Sequence, residues 1–117
     1  AEYLQTARAL TERYGADLIF AEVIAGFRFH AGNAGALYDM QPDLATFGKI
    51  IGGGMPVAAV AGRADIMGLA GRMAGGKVKF SGGTYSAHPA SLLAAKTFMT
   101  YLVANKKEIY RRLADLG

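Results

Sequence analysis

Cysteine is absent from all 117 residues, which removes disulfides, thiolate metal ligands and a cysteine nucleophile together and suits a reducing compartment. Long apolar runs are missing as well. No stretch reaches the roughly 18 apolar residues that a spanning helix needs, so no membrane partner is expected. The opening residues, AEYLQTARAL, carry neither the basic start nor the apolar centre of a secretion signal. The expectation is a soluble, cytoplasmic protein. Lys and Arg exceed Asp and Glu by 13 to 9, a net +4, yet they are scattered apart from Lys106-Lys107 and Arg111-Arg112. No stripe of aromatic and basic residues accompanies the charge, so a nucleic-acid partner is not expected. His, Asp and Glu show no metal-ligand spacing, which predicts no catalytic metal.

What is present is a globular composition, 52% hydrophobic and 19% charged, at the length of one ordinary domain. The 16 glycines cluster at GGG (52–54), AGG (74–76) and SGG (81–83), and the chain starts at Ala1 rather than methionine. These features read as a piece of a longer polypeptide. Tyr3, Ala7, Leu10 and Tyr14 recur at helical spacing and Gly15 follows as a terminator, which predicts a first helix with those four on its buried face. ADLIFAEV is too short for a helix and apolar enough for a buried strand. GFRFHAGNAGALYDMQPD lacks a steady period and reads as a connecting or functional loop. LATFG and VAAVAG (57–62) are predicted strands, and RADIMGLAGRM a short helix. The glycine-rich stretch 71–83 reads as mobile. Pro89 suits the first turn of a helix over 90–104, and Asn105 with Glu108 resembles a capping box that opens a last helix through Ile109, Leu113 and Leu116. Helices alternating with short buried strands define an α/β class.

The lone charge within FGKIIGGGMPVAAVAG is Lys49. A lysine desolvated among apolar strand ends shifts toward the neutral amine, the form that attacks carbonyl carbon. A lysine whose stem lies along a strand end and whose ammonium reaches solvent is the ordinary alternative. A phosphate loop of Walker type is excluded, because Ile50 follows the lysine where Ser or Thr is required. AGNAG (31–35) does not follow a strand directly, so a dinucleotide fingerprint is weak.

Three stretches, LIFAEVIAGFRF, PDLATFGKIIGGGMPVAAVAGR and GGTYSAHPAS, occur in this order and at these separations, and together the chain resembles the class III aminotransferases, pyridoxal-phosphate enzymes that include glutamate-1-semialdehyde aminomutases. The resemblance covers essentially the whole chain. It implies part of the fold-type I large domain, a mostly parallel sheet flanked by helices, with residues 1–88 in the cofactor domain and 89–117 leading to a small C-terminal domain. It implies pyridoxal 5′-phosphate as cofactor, held by Lys49 as an internal aldimine, with Lys49 then moving the proton between substrate and cofactor. Val23 would pack on the ring; its ordinary alternative is a core valine. Gly83 and Thr84 would reach the cofactor phosphate of the neighbouring subunit in a homodimer with shared sites, and a threonine capping the helix that follows is the alternative. Small-molecule amines or amino acids and keto or aldehyde compounds are the implied substrates. Arg28 reads as a structural ion-pair partner of Glu22, and His30 and His88 as local loop and helix-start residues.

The family pattern is DEV where this chain reads AEV. The aspartate there pairs with the pyridinium nitrogen, so Ala21 removes the partner that keeps the ring protonated. Glu22 faces the other side of the strand and does not substitute. Ala21 is compatible with an inactivated mutant, a diverged homologue or a pseudoenzyme, and a non-catalytic module acting through cofactor binding or association is the alternative to an aminotransferase or aminomutase. The serine-glycine phosphate loop and the stacking aromatic of the family are not found.

Overall fold

The structure, a computed structural model, describes residues 2–70 and 82–117. Most of the glycine-rich stretch read as mobile, residues 71 to 81, lies outside them. The elements run α1 (Glu2–Tyr14), β1 (Ile19–Glu22), β2 (Leu44–Phe47), β3 (Ala59–Gly62), α2 (Ala64–Met67), α3 (Pro89–Ala104) and α4 (Lys106–Leu116), with 3₁₀ turns at Ala34–Tyr38 and Lys49–Gly52. Three strands form one sheet in the order β1-β2-β3. β1 and β2 are parallel, which the long connection between them permits, and β3 returns antiparallel after the glycine turn, so the sheet is mixed. The α/β class stands. No helix among the described residues is long and apolar enough to cross a membrane.

Helix α1 forms where predicted but is rotated. Tyr3, Leu10 and Tyr14 are 81%, 47% and 72% exposed, and the side turned to the body carries Leu4, Ala7, Arg8 and Thr11. The cause is a charge. Arg8 on α1 donates to the Asp43 carboxylate at 2.8 Å, and a charge-assisted contact to a buried acid outweighs burial of one more aromatic ring.

Asp43 is the node of the sheet. Its side chain accepts from the Leu18 amide at 2.8 Å and from Arg63 at 3.1 Å as well as from Arg8. Its backbone N–H donates to Leu18 O at 2.8 Å, and its carbonyl accepts from Arg63 N–H at 2.9 Å. One residue thereby ties α1, the start of β1, the start of β2 and the end of β3. Asp65 holds the far side of Arg63 at 2.6 Å.

The apolar core is thin. Among the described residues Met40, Ala45, Ala95 and Leu102 are the buried apolar side chains, and no large side chain is fully enclosed. Helix α3 begins at Pro89 as predicted, with His88 as its N-cap accepting from the Ser91 amide. The predicted capping box at Asn105 does not form. The Asn105 side chain instead donates to Tyr101 O at 2.8 Å and closes the end of α3, which leaves it no cap contact to α4.

The Leu18 amide and the two guanidinium groups hold the Asp43 carboxyl down at about 2. A carboxylate depressed in the folded state stabilises above its ordinary value of roughly 4 and loses that contribution as pH falls through the folded value. Acid unfolding followed by circular dichroism should therefore steepen between about pH 4 and 2 in the parent. Asp43→Asn should lower the melting temperature at neutral pH and flatten that acid limb; an unchanged limb would exclude the node as its source.

Candidate active site

β1 and β2 end in register. Ala21 lies opposite Thr46 and Glu22 opposite Phe47. The residues that leave the two strands are therefore neighbours, and a Cβ added to Gly48 would lie 3.2 Å from Val23 Cγ1. Lys49 comes next, at φ 49°, and opens the Lys49–Gly52 turn. The left-handed region costs a side-chain-bearing residue roughly 1–2 kcal/mol and persists where the surroundings over-determine it. Here the turn closes on Gly53 at φ 57°, whose N–H donates to Ile50 O at 3.1 Å. A Cβ on Gly53 would lie 2.8 Å from Phe98 Cβ, so the turn rests directly on α3.

The lysine itself is exposed. The desolvation expected at this strand end is not supplied by the described residues, which leave the side chain open to solvent.

Ala21, one step back on β1, is exposed, and Glu22 beside it is 3% exposed. The alternation places them on opposite faces. Glu22 Oε1 accepts from the Ala34 amide at 2.9 Å, while Oε2 is buried without a partner among the described residues. The ion pair expected between Arg28 and Glu22 is not formed. A tight turn, Arg28 N–H to Ala25 O at 3.1 Å, carries Arg28 to the surface, and the Ala34 amide takes the Glu22 oxygen in its place. His30 meets the Asn33 carbonyl within its own loop.

Gly83 and Thr84 are exposed and sit elsewhere. They line a cavity of about 340 Å³ with Pro56, Val57, Ala58 and His88. Ala21 lines another, of about 350 Å³, with Tyr3, Leu4, Phe20, Glu22 and Tyr38. Lys49 and Val23 line neither. Thr84 does not cap α3; His88 does. The structure thus gathers Val23, Gly48 and Lys49 at the strand ends with Ala21 close behind, and leaves Gly83 and Thr84 apart. Phe27, Phe47 and Tyr110, which sequence reasoning passed over, surround the same strand ends: the Phe27 and Phe47 rings lie 5.4 Å apart.

A lysine at positive φ thus follows the middle strand of a mixed α/β sheet and leads through a glycine turn onto a helix. The Aminotransferase class-III model matches residues 1–117, and the chain belongs to that family. It is 49% identical over 113 residues to glutamate-1-semialdehyde 2,1-aminomutase of Methanoculleus marisnigri, covering 97% of this chain and 26% of that protein. Its structure resembles an omega-transaminase from Sphaerobacter thermophilus with a TM-score of 0.78 at 40% identity, covering 86% of this chain and 23% of the other. A transaminase with PLP bound matches with a TM-score of 0.74 at 32% identity, covering 86% and 24%. The chain spans about a quarter of the length of the curated relatives it matches.

The two glycines of the turn make separable predictions. Gly53→Ala meets both the positive φ and Phe98 Cβ, whereas Gly54→Ala, at φ 96° with nothing within 4 Å, meets the backbone cost alone. Denaturant unfolding should show a loss of roughly 1–2 kcal/mol for Gly54→Ala and a larger one for Gly53→Ala. Equal losses would mean that α3 does not brace the turn.

Proposed function

We propose that this chain is the lysine-bearing part of a pyridoxal-phosphate-dependent aminotransferase or aminomutase that moves an amino group between an amine or amino acid and a carbonyl compound. The observation that carries the reading is Lys49, held at a positive φ by a braced turn between Val23 and α3 in a class III aminotransferase fold. The residues present fit the cofactor at two of its three demands. An accessible primary amine stands at the strand end, and the apolar Val23 lies against the preceding residue, Gly48, where it would meet a ring face. The ring nitrogen finds no acceptor, because Ala21 presents a methyl group. When bound, the cofactor supplies an electrophilic aldehyde and an electron-withdrawing ring.

Lys49 Nζ would hold the group by its aldehyde and, when free, would take and return a proton at the substrate Cα. Glu22 does not replace the missing aspartate. Its carboxylate is committed to the Ala34 amide on the opposite face. We infer that Ala21 leaves cofactor attachment in place and slows the proton transfers that depend on a protonated ring.

Gly83 and Thr84 lie away from Lys49, around a cavity that Lys49 does not line. That separation supports the reading that they serve the phosphate of a second subunit's cofactor in a cytoplasmic homodimer. Within the same reading, residues 1–88 belong to the cofactor domain and 89–117 lead out of it. A non-catalytic module keeping the fold is the second reading, favoured by Ala21 alone.

Visible absorbance of the purified protein with pyridoxal phosphate tests both. Lys49→Ala should abolish the band of covalently attached cofactor; if the band survives, the lysine assignment is wrong. Thr84→Ala should keep the band and weaken cofactor affinity about tenfold, the loss of one hydrogen bond to a charged group. Ala21→Asp should raise turnover on the order of tenfold or more. Turnover found in Ala21→Asp and absent from the parent would establish the non-catalytic reading.

A further inference from the structure

The loop after β1 is clasped by the last helix. The Tyr110 hydroxyl on α4 donates to the Phe27 carbonyl oxygen at 2.9 Å, joining positions 83 residues apart. Phe27 stands at φ 60°, a conformation that a bulky side chain adopts only when held there. Its ring lies against Phe47, with centroids 5.4 Å apart and planes tilted by 48°. Gly26 closes the same contact, since a Cβ on it would lie 2.8 Å from Phe47 Cδ1. Phe47 is the last residue of β2, and two positions later comes Lys49, itself at φ 49°.

We propose that Tyr110 is a positioning residue for Lys49. By fixing the Phe27 carbonyl it keeps the Phe27 ring on Phe47 and so sets the strand end from which Lys49 departs. The inference rests on the reading of Lys49 as the cofactor-binding amine. Two helices reach the lysine segment from opposite ends: α4 through Tyr110, Phe27 and Phe47, and α3 through Phe98 against Gly53. Asn105 joins α3 to α4: its backbone N–H and side chain donate to Tyr101 O, and its carbonyl accepts from the Glu108 and Ile109 amides at 3.1 Å. A displacement of this helix pair is therefore felt at both ends of the segment 47–53. Burial raises the Tyr110 hydroxyl above its ordinary value, so the clasp stays protonated and intact through the neutral range.

The test uses the purified protein with pyridoxal phosphate and reads attachment rather than turnover. Covalent capture at Lys49 is timed by borohydride reduction and mass spectrometry, and the visible band is titrated against pH. Tyr110→Phe should slow capture on the order of tenfold and move the pH midpoint of the band, as expected when a reacting group is displaced by a fraction of an ångström to an ångström. Phe27→Leu, which keeps the carbonyl and loses the ring contact, should reproduce both changes and decides the matter if Tyr110→Phe unfolds. Parental capture rate and midpoint in folded Tyr110→Phe, or in Phe27→Leu, would overturn the positioning role. Lys49→Ala separates the two readings: capture elsewhere on the chain in that variant sinks the lysine assignment itself, whereas capture lost there and unchanged in Tyr110→Phe sinks the clasp alone.

Discussion

Everything at the candidate site depends on register, and register here depends on one carboxylate. Asp43 receives the Leu18 amide, Arg8 and Arg63 at the end of the strands remote from Lys49. Because side chains on a strand alternate between faces, a slip of one position between β1 and β2 would reverse every residue of the slipped strand. Fixing Leu18 to Asp43 fixes Ala21 to Thr46 three positions on, and that pairing places Val23 beside Gly48. The charged node and the lysine lie at opposite ends of a four-residue strand, yet the first determines what stands next to the second. The thin apolar core makes this more important, since few buried side chains are available to specify the pairing by packing.

The segment 47–54 is a second constraint, of backbone conformation. Lys49 takes a left-handed conformation that its side chain disfavours, while Gly53 and Gly54 take theirs without that cost. A chain seeking only a tight turn would place glycine at all three. Retaining lysine at the strained position separates the chemistry from the turn: the glycines permit the reversal, and the strained residue carries the amine. Bracing by Phe98 on one side and by Phe27 on Phe47 on the other supplies what the local sequence does not.

Much of this was legible in the chain. The three strands, α3 from Pro89 and α4 after Asn105 follow from short apolar runs and helix signals, because those depend on neighbours a few residues away. Lys49 stood out as the one charge in an apolar, glycine-rich stretch. What failed depended on partners far along the chain. The rotation of α1 is set by Arg8 reaching Asp43, 35 residues distant, and no periodicity within the helix announces it. Asn105 satisfied the spacing of a capping box, but the Tyr101 carbonyl lay closer to hand and took its side chain. Charge alone pairs Arg28 with Glu22, but the intervening turn directs Arg28 outward. Tyr110 and Phe27, 83 residues apart, gave no signal beyond being aromatic.

At Ala21 geometry and chemistry come apart. A methyl group in place of a carboxylate leaves the strand register, the approach of Val23 to Gly48 and the turn at Lys49 in place, because none of the hydrogen bonds that build them uses the position 21 side chain. A short exposed side chain on a half-covered strand is tolerated by the fold at little cost. The function the position would serve is electrostatic: a negative charge facing a ring nitrogen, strong where water is scarce and without local substitute when removed. Glu22, the nearest acid, is buried on the other face with one oxygen on the Ala34 amide, so it belongs to the architecture of the loop. Under the proposed reading the chain would keep the residues that position an amine and lack the one that would stabilise charge on the ring, because the two rest on different residues and different interactions.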